Sequence, residues 1–196
     1  MRIGYNELVT ISRTVDQSIL SVLKYYSSNL ALGGESIRAI LMGEEVKEFD
    51  IYIKDNQDIT PEDVIDYLEE WEQVLPYKLK FVIREFADIH SLIAGMDYTI
   101  DSAALMYING TWSIYCHDDF FKDNAIKTIT CAEVVGVSSL MKAIGYIKKG
   151  YTVNNVELSE ILAEVVSSSG IDYEDSKESI SDTYLELLKI INPEYE

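Results

Sequence analysis

The chain has 196 residues, and its 34 acidic against 16 basic side chains give a formal net charge of −18. This acidity argues against an extensive nucleic-acid-binding surface, because phosphate backbones are bound by positive surfaces, and it suits a small ligand, a cation or a basic partner. No apolar stretch reaches the ~20 residues of a membrane span, and Cys116 and Cys131 lack metal or disulfide spacing, so we expect a cytoplasmic protein with reduced thiols and no membrane partner.

Hydrophobic periodicity predicts alternating helices and strands over the first half of the chain. The predicted elements are a helix over 6–27, a strand over 30–32, a helix over 36–42, a strand over 49–54, a helix over 60–75 and a strand over 78–86. Gly33-Gly34 and Gly43 mark the turns on either side of the second helix.

The second half of the chain begins with strands and continues with helices. Strands are predicted over 98–109 and 112–116, joined at an Asn-Gly turn typical of hairpins, and a short strand is predicted over 125–130. Helices are predicted over 138–149, 155–167 and 175–191. We therefore expect an α+β fold, with a mixed head over 1–131 and a small helical neck or tail over 132–196.

The glycine pair is a candidate phosphate site. A turn between a strand and a helix exposes backbone N–H groups at the positive end of the helix dipole, where phosphates bind. Gly33 and Gly34 allow a triphosphate to approach the backbone closely, Ser36 offers a hydroxyl, and Arg38 offers a fixed charge. Most Gly-Gly pairs are simple turns, so the glycines alone are weak support.

The next strand carries two acids one residue apart. Glu48 and Asp50 lie on the same face of a strand, because side chains at i and i+2 do so. Mg²⁺ or Mn²⁺ binds carboxylate oxygens, and a metal pair clamps phosphoryl groups during transfer. The alternative is a solvated strand face without a metal, which the carboxylate pair taken alone favours.

The combined pattern over residues 33–50, GGESIRAILMGEEVKEFD, resembles the head domain of tRNA CCA-adding enzymes and bacterial poly(A) polymerases, within the nucleotidyltransferase superfamily. Residues 96–105 resemble the second motif of that family, 107–129 resemble its closing hairpin segment, and 140–153 resemble the start of its neck helix. The resemblance therefore covers roughly residues 29–153 and implies the polymerase-beta-like fold, in a divergent and truncated form.

The resemblance implies a nucleotidyltransferase that moves a nucleotidyl group from a nucleoside triphosphate to an acceptor hydroxyl with Mg²⁺ or Mn²⁺. Glu48 and Asp50 would bind the metals and serve catalysis. Gly33, Gly34, Ser36 and Arg38 would bind the nucleotide, and Asp97 of the second motif would help to shape its pocket. The acceptor is a small molecule, a protein or an RNA end, in falling order of preference given the acidity.

The carboxylates depart from the family pattern. Glu48 replaces an Asp, and Asp101 replaces an Asn of the second motif. The family's third metal-binding acid matches Leu79, which has a lysine on each side. Glu85, Asp97 or Asp101 are the acids that could replace it.

The positive groups depart from it as well. Ala39 stands where the family has an Asp beside the motif arginine, which predicts that Arg38 lacks its local partner. Gly95 and Met96 replace two arginines, which removes positive charge near the substrate. Residues 136–141 lack the acids and arginine that read the base, and the chain ends before a full tRNA-gripping body, which argues against CCA addition.

The main basic cluster, Lys142, Lys148 and Lys149, is explained by the preference of cations for helix C-termini. Two hypotheses follow from the whole sequence. The first is the metal-dependent nucleotidyltransferase described above. The alternative is a catalytically degenerate nucleotidyltransferase fold that binds a nucleotide or a partner protein, as the missing third carboxylate and arginines suggest.

Overall fold

A computed structural model describes residues 1–168 except 56–58, 74 and 135. The helices are α1 (Tyr5–Thr14), α2 (Gln17–Tyr26), α3 (Glu35–Met42), α4 (Pro61–Glu72), α5 (Ile89–Ala94), α6 (Phe120–Ile126), α7 (Val137–Lys148) and α8 (Asn155–Ser168). The strands are β1 (Leu30–Gly33), β2 (Glu48–Lys54), β3 (Lys78–Arg84), β4 (Ala103–Ile108), β5 (Thr111–Cys116), β6 (Thr128–Ile129) and β7 (Thr152–Val153). The helix predicted over 175–191 lies outside the described residues. None of the helices within them is long and apolar enough to cross a membrane.

Five strands form one mixed sheet in the order β3-β2-β1-β4-β5. The β2–β3 pair is parallel, and the other neighbours are antiparallel. The β4–β5 hairpin turns at Asn109-Gly110, both with positive φ, as the sequence predicts. This helix-flanked mixed sheet confirms the predicted α+β class.

The two faces of the sheet have different neighbours. Alternate residues of β2, Phe49, Ile51 and Ile53, are buried in the main hydrophobic core together with residues of α1 to α4. Tyr52 of the opposite face belongs to a second core cluster that includes Ile89, Leu92 and Ile93 of α5. Since side chains alternate along a strand, Glu48 and Asp50 share the Tyr52 face.

Helix α7 packs against the segment that precedes β4. Tyr98 and Ile100 of that segment share a hydrophobic cluster with Leu140 and Ile144 of α7 and with Ile161 of α8. The short parallel pair β6–β7 joins the chain on the two sides of α7. These contacts fix α7 beside the sheet; the predicted division into domains at residue 131 stays a prediction.

The single helix predicted over 6–27 is wrong, because the structure has two helices. Val15 is extended (φ −75°, ψ 133°), and Asp16 accepts a hydrogen bond from the Ser18 backbone N–H, which starts α2. An aspartate in this role is a helix N-cap, and it competes with continuation of the preceding helix.

The strand predicted over 98–109 begins later, at Ala103, because residues 98–102 form turns with backbone hydrogen bonds from Asp101 N–H to Tyr98 and from Ser102 N–H to Thr99. The strand predicted over 125–130 shrinks to β6, preceded by the unpredicted helix α6. Helix α5 was not predicted either, although Asp88 and Ser91 form a capping box at its start.

Candidate functional site

A cleft of about 1120 Å³ lies between the sheet and α7. Its walls come from α3 and the loop that follows, from β2 and β3, from the segment before β4, and from α7. The charged residues that line it are Glu35, Arg38, Glu44, Glu45, Lys47, Glu48, Asp50, Lys80, Arg84, Asp97, Lys142 and Lys149. The lining therefore carries charges of both signs, six acidic and six basic.

The two glycines are buried behind Asp50 and Tyr52, which line this cleft, and the Gly34 N–H donates a hydrogen bond of 3.0 Å to the Ala103 carbonyl oxygen. A Cβ atom at Gly33 would lie 3.0 Å from the Ala103 carbonyl oxygen and 3.1 Å from the Tyr52 ring. A Cβ at Gly34 would lie 3.0 Å from Asp50 Oδ2, and Gly34 has a φ of 67° that side chains rarely adopt. Both positions need glycine because the neighbouring strand approaches so closely, and the Asp50 carboxylate thus lies against the Gly34 backbone.

Two helices begin at the cleft. Gly34 is the N-cap of α3, and Gly136 is the N-cap of α7, with nearly the same backbone conformation: φ 67° and 80°, and ψ −143° in both. First-turn residues of each helix, Ser36 and Ser138, line the cleft. Helix N-termini carry partial positive charge, so each favours an anion near its own first turn, and the start of α3 lies beside the far end of α7, where Lys149 pairs with Glu35. The Ser36 hydroxyl donates a hydrogen bond of 2.7 Å to the Gly33 carbonyl oxygen.

The predicted acids face the cleft together. Glu48 is exposed, whereas Asp50 is 8% exposed. Asp50 is paired in register with Lys80 of the parallel strand β3, and Lys80 Nζ lies 3.3 Å from Asp50 Oδ1. Burial raises the pKa of Asp50, and the positive charges of Lys80 and Lys142 oppose that rise.

The third carboxylate has no equivalent on β3. Leu79 is buried against the main core, so position 79 points away from the cleft, and Lys80 is the residue that faces it. The Asp97 carboxylate accepts hydrogen bonds from the Ser139 hydroxyl and from Lys142. Among the described residues, Glu48 and Asp50 belong to no group of three potential metal-ligand atoms within 4.8 Å of one another. Divalent cations on Glu48 and Asp50 would therefore need their remaining ligands from the substrate or from solvent.

Lys142 lines the cleft and forms an ion pair with a buried acid. Its Nζ lies 2.9 Å from Asp97 Oδ2 and 2.8 Å from Asp101 Oδ2, and Asp101 is fully buried. Burial raises the pKa of Asp101, while burial of Lys142 is outweighed by Asp101 and Asp97, which hold its pKa well above the ordinary value. The helix-end explanation for Lys142 is therefore wrong, because Lys142 lies in mid-helix and neutralises these two acids.

Arg84 brings positive charge to the place where the family's arginines are missing. Its Nη1 donates a hydrogen bond of 2.6 Å to the Gly95 carbonyl oxygen. A Cβ at Gly95 would lie 2.6 Å from Arg84 Nη2, so the glycine leaves the space that the guanidinium fills. The expectation that this region lacks positive charge is wrong, since β3 supplies it.

Arg38 is fully buried and has an acidic partner, contrary to the sequence-based expectation. Its guanidinium donates two hydrogen bonds to Glu44, of 2.9 and 2.5 Å, and one of 2.9 Å to the Tyr151 hydroxyl. Although burial opposes it, the hydrogen bond to Glu44 raises the pKa of Arg38. Glu44 thus takes the role that the family pattern gives to an acid at position 39.

The structure thus brings Ser36, Arg38, Glu48, Asp50 and Asp97 to one cleft, whereas Gly33 and Gly34 are buried behind its lining residues Asp50 and Tyr52. Their assignment as nucleotide or metal ligands stays a prediction. Sequence reasoning did not place Lys80, Arg84 and Lys142 in the same cleft as these acids. Alternation along β3 could have placed Lys80 and Arg84 on one face, but the register with β2 is not visible in the sequence.

Solved structures with a similar fold include tRNA-processing and CCA-adding enzymes. A tRNA-processing enzyme in its apo form has a TM-score of 0.57 at 15% identity, covering 92% of this chain and 57% of that one. A CCA-adding enzyme solved with ATP has a TM-score of 0.59 at 12% identity, covering 94% and 52%. The Thermotoga maritima CCA-adding enzyme solved with tRNA has a TM-score of 0.55 at 13% identity, covering 93% and 50%.

At these identities the likeness concerns the fold alone, and the chain spans little more than half the length of the proteins it matches. No protein-family model matches the sequence, and no curated protein matches it. The fold is therefore that of the nucleotidyltransferases, as the motif over residues 33–50 predicts.

Proposed function

We propose that the cleft binds a nucleoside triphosphate through its cations and the adjoining helix N-termini, with the protein acting as a nucleotide-binding module. The observation that carries this proposal is one cleft lined by first-turn residues of two helices, Ser36 and Ser138, and by the side chains of Lys80, Arg84, Lys142 and Lys149. Helix dipoles and fixed cations are the two features by which proteins bind phosphate groups.

The size of the cleft and the structural neighbours support the same ligand. A volume of about 1120 Å³ accommodates a nucleotide, since small-molecule sites run to roughly 1,000 Å³. Neighbours with this fold have been solved with ATP and with CTP. The net charge of −18 is compatible with this ligand, because a local group of cations can attract phosphates.

Adjacent lysines at the end of α7 provide a matched test. Lys149 lines the cleft and pairs with Glu35 of α3, whereas Lys148 is exposed outside it. Calorimetric titration with ATP, GTP, CTP and UTP should show saturable binding by the wild type, weakened about threefold to tenfold in Lys149→Ala and unchanged in Lys148→Ala. Equal weakening in both variants would show that overall charge, not the cleft, attracts the nucleotide, and no binding would end the proposal.

Metal-dependent nucleotidyl transfer to an acceptor hydroxyl is the second candidate. The observation that favours it is the position of Glu48 and Asp50 on the same cleft-facing side of β2. It predicts incorporation of radiolabel from a triphosphate into a small molecule, protein or RNA end with Mg²⁺ or Mn²⁺, and loss of that incorporation in Glu48→Gln and Asp50→Asn. The binding-module proposal predicts no incorporation in any of the three proteins.

A further inference from the structure

We infer that the Lys80 ammonium group takes the place of a divalent cation beside Asp50, so that the cleft binds its polyphosphate ligand without a metal ion. This inference rests on the proposed function and names the form of the ligand, which is the free polyphosphate and not its metal complex. It concerns one side chain on β3 and the carboxylate that faces it.

The sheet register determines where Lys80 lies. Parallel neighbours in register point to the same face, and Lys80 is the β3 partner of Asp50. Lys80 Nζ lies 3.3 Å from Oδ1 of Asp50, while Oδ2 of the same carboxylate faces the Gly34 backbone. Both oxygens of the central acid are thus flanked by groups of the protein, one of them a full positive charge.

A divalent cation on Asp50 would have to approach that ammonium group. Two cations bound to one carboxylate repel each other strongly in a partly buried site, and Asp50 is only 8% exposed. The nearby acid Asp97 cannot offset this repulsion freely, because its two oxygens already accept hydrogen bonds from Ser139 and Lys142. The cleft therefore has a built-in cation where a metal would otherwise sit.

The same lysine can serve a phosphate. Its side chain is 55% exposed and reaches the cleft from β3, with Arg84 on the same strand and Lys142 on the facing helix. Lysine binds phosphate as a point charge with three donors, so it can contact phosphate oxygens while it keeps its contact with Asp50. Charge neutralisation by side chains thus holds the ligand.

The first test compares metal-free and metal-containing titrations. ATP and inorganic tripolyphosphate are titrated into the full chain with excess EDTA or with excess MgCl₂ or MnCl₂, and binding is followed by calorimetry. We expect the dissociation constant in EDTA to equal or be smaller than that with metal. In EDTA, Lys80→Ala should weaken binding about tenfold or more, whereas Lys78→Ala, an exposed lysine on the same strand outside the cleft lining, should not.

The second test reverses the charge. Lys80→Glu places a carboxylate beside Asp50, so binding should be lost in EDTA and restored by MnCl₂, whereas Lys78→Glu should keep the metal-free binding of the wild type. Binding by the wild type that requires Mg²⁺ or Mn²⁺ would overturn this inference and leave the proposed function standing. Absence of triphosphate binding under both conditions would overturn the two together.

Discussion

The backbone conformation of Gly34 brings it close to two residues that line the cleft. Its φ of 67° and ψ of −143° lie in a region that is almost restricted to glycine, and a Cβ there would press on Asp50 and Tyr52. We expect Gly34→Ala to lower the free energy of unfolding by about 1–3 kcal/mol and to weaken triphosphate binding. Urea denaturation and calorimetry measure the two effects.

Gly43 is the matched control for that variant. It also has a positive φ, 71°, but a Cβ there would meet nothing within 4 Å. Gly43→Ala should therefore cost only the backbone strain of about 1 kcal/mol and leave ligand binding unchanged. A similar loss of binding in both alanine variants would mean that the Gly34 effect is one of general stability.

Lys142 is expected to be important because it neutralises a carboxylate that is fully buried. Lys142→Met should lower the free energy of unfolding by about 3 kcal/mol, because it leaves Asp101 without its cation. The double variant Lys142→Met/Asp101→Asn should recover most of this loss. Lys148→Met, on the same helix but exposed, is the control and should change stability little.

The pH dependence of that loss has a definite sign. Burial raises the folded-state pKa of Asp101 above 3.8, so an ionised Asp101 destabilises the fold as the pH rises through the interval above 3.8. Without Lys142 this penalty grows at neutral pH and disappears where the carboxyl is protonated in both states. The destabilisation by Lys142→Met should therefore be smaller near pH 4 than near pH 7, and a pH-independent loss would contradict the ion-pair explanation.

At the scale of elements, the side chain of Asp16 separates α1 from α2 by capping the start of α2. The Asp16 carboxylate accepts hydrogen bonds from the Ser18 backbone and hydroxyl, which lowers the pKa of Asp16. Asp16→Ala should cost about 1 kcal/mol of stability, as helix N-caps do. In the wild type this contribution should be present above pH 3.8 and be lost as the pH falls through the lowered pKa.

The comparison variant for Asp16→Ala is Glu7→Ala, which removes an acid from the first turn of α1 without removing a cap. Urea denaturation of the two variants at neutral pH should separate them by most of the capping energy. Equal effects would mean that the Asp16 carboxylate acts through the helix dipole alone.

Local patterns predicted some elements and not others for a clear reason. The apolar alternation in 49–54 and the Asn-Gly dipeptide are local sequence patterns that match the geometry of a strand and of a hairpin turn. They therefore predict β2 and the hairpin turn correctly. Short helices such as α5 and α6 depend on what they pack against and were missed. In the same way, Glu48 and Asp50 could be placed on one face, but the pairing of Asp50 with Lys80 depends on the register between two strands.

At the scale of the whole molecule, the acidity and the fold point to different partners. The formal charge is −18, yet structures with this fold include one solved with tRNA, so the comparisons do not support the predicted absence of a nucleic-acid surface. That absence stays a prediction from charge. Bound tRNA requires cations on a broad surface, whereas Lys80, Arg84 and Lys142 are gathered in one cleft.

We therefore expect no tRNA binding at physiological ionic strength in a gel mobility-shift assay, with a tRNA nucleotidyltransferase of the same fold as the positive control. The physical reason is that two polyanions repel each other. Few protein cations would then contact the phosphates, so few counterions would be released from the RNA. A saturable shift whose affinity falls linearly with salt on logarithmic axes would contradict this expectation.

The anchoring of α7 bears on how quickly a ligand can enter. Tyr151, just after this helix, holds Arg38 of α3 and Asn124 of α6, and Lys142 is fixed to the segment before β4. These contacts connect the two walls of the cleft in the absence of a ligand. We therefore expect that a ligand enters without a preceding rearrangement and that its association rate is governed by diffusion and by its charge.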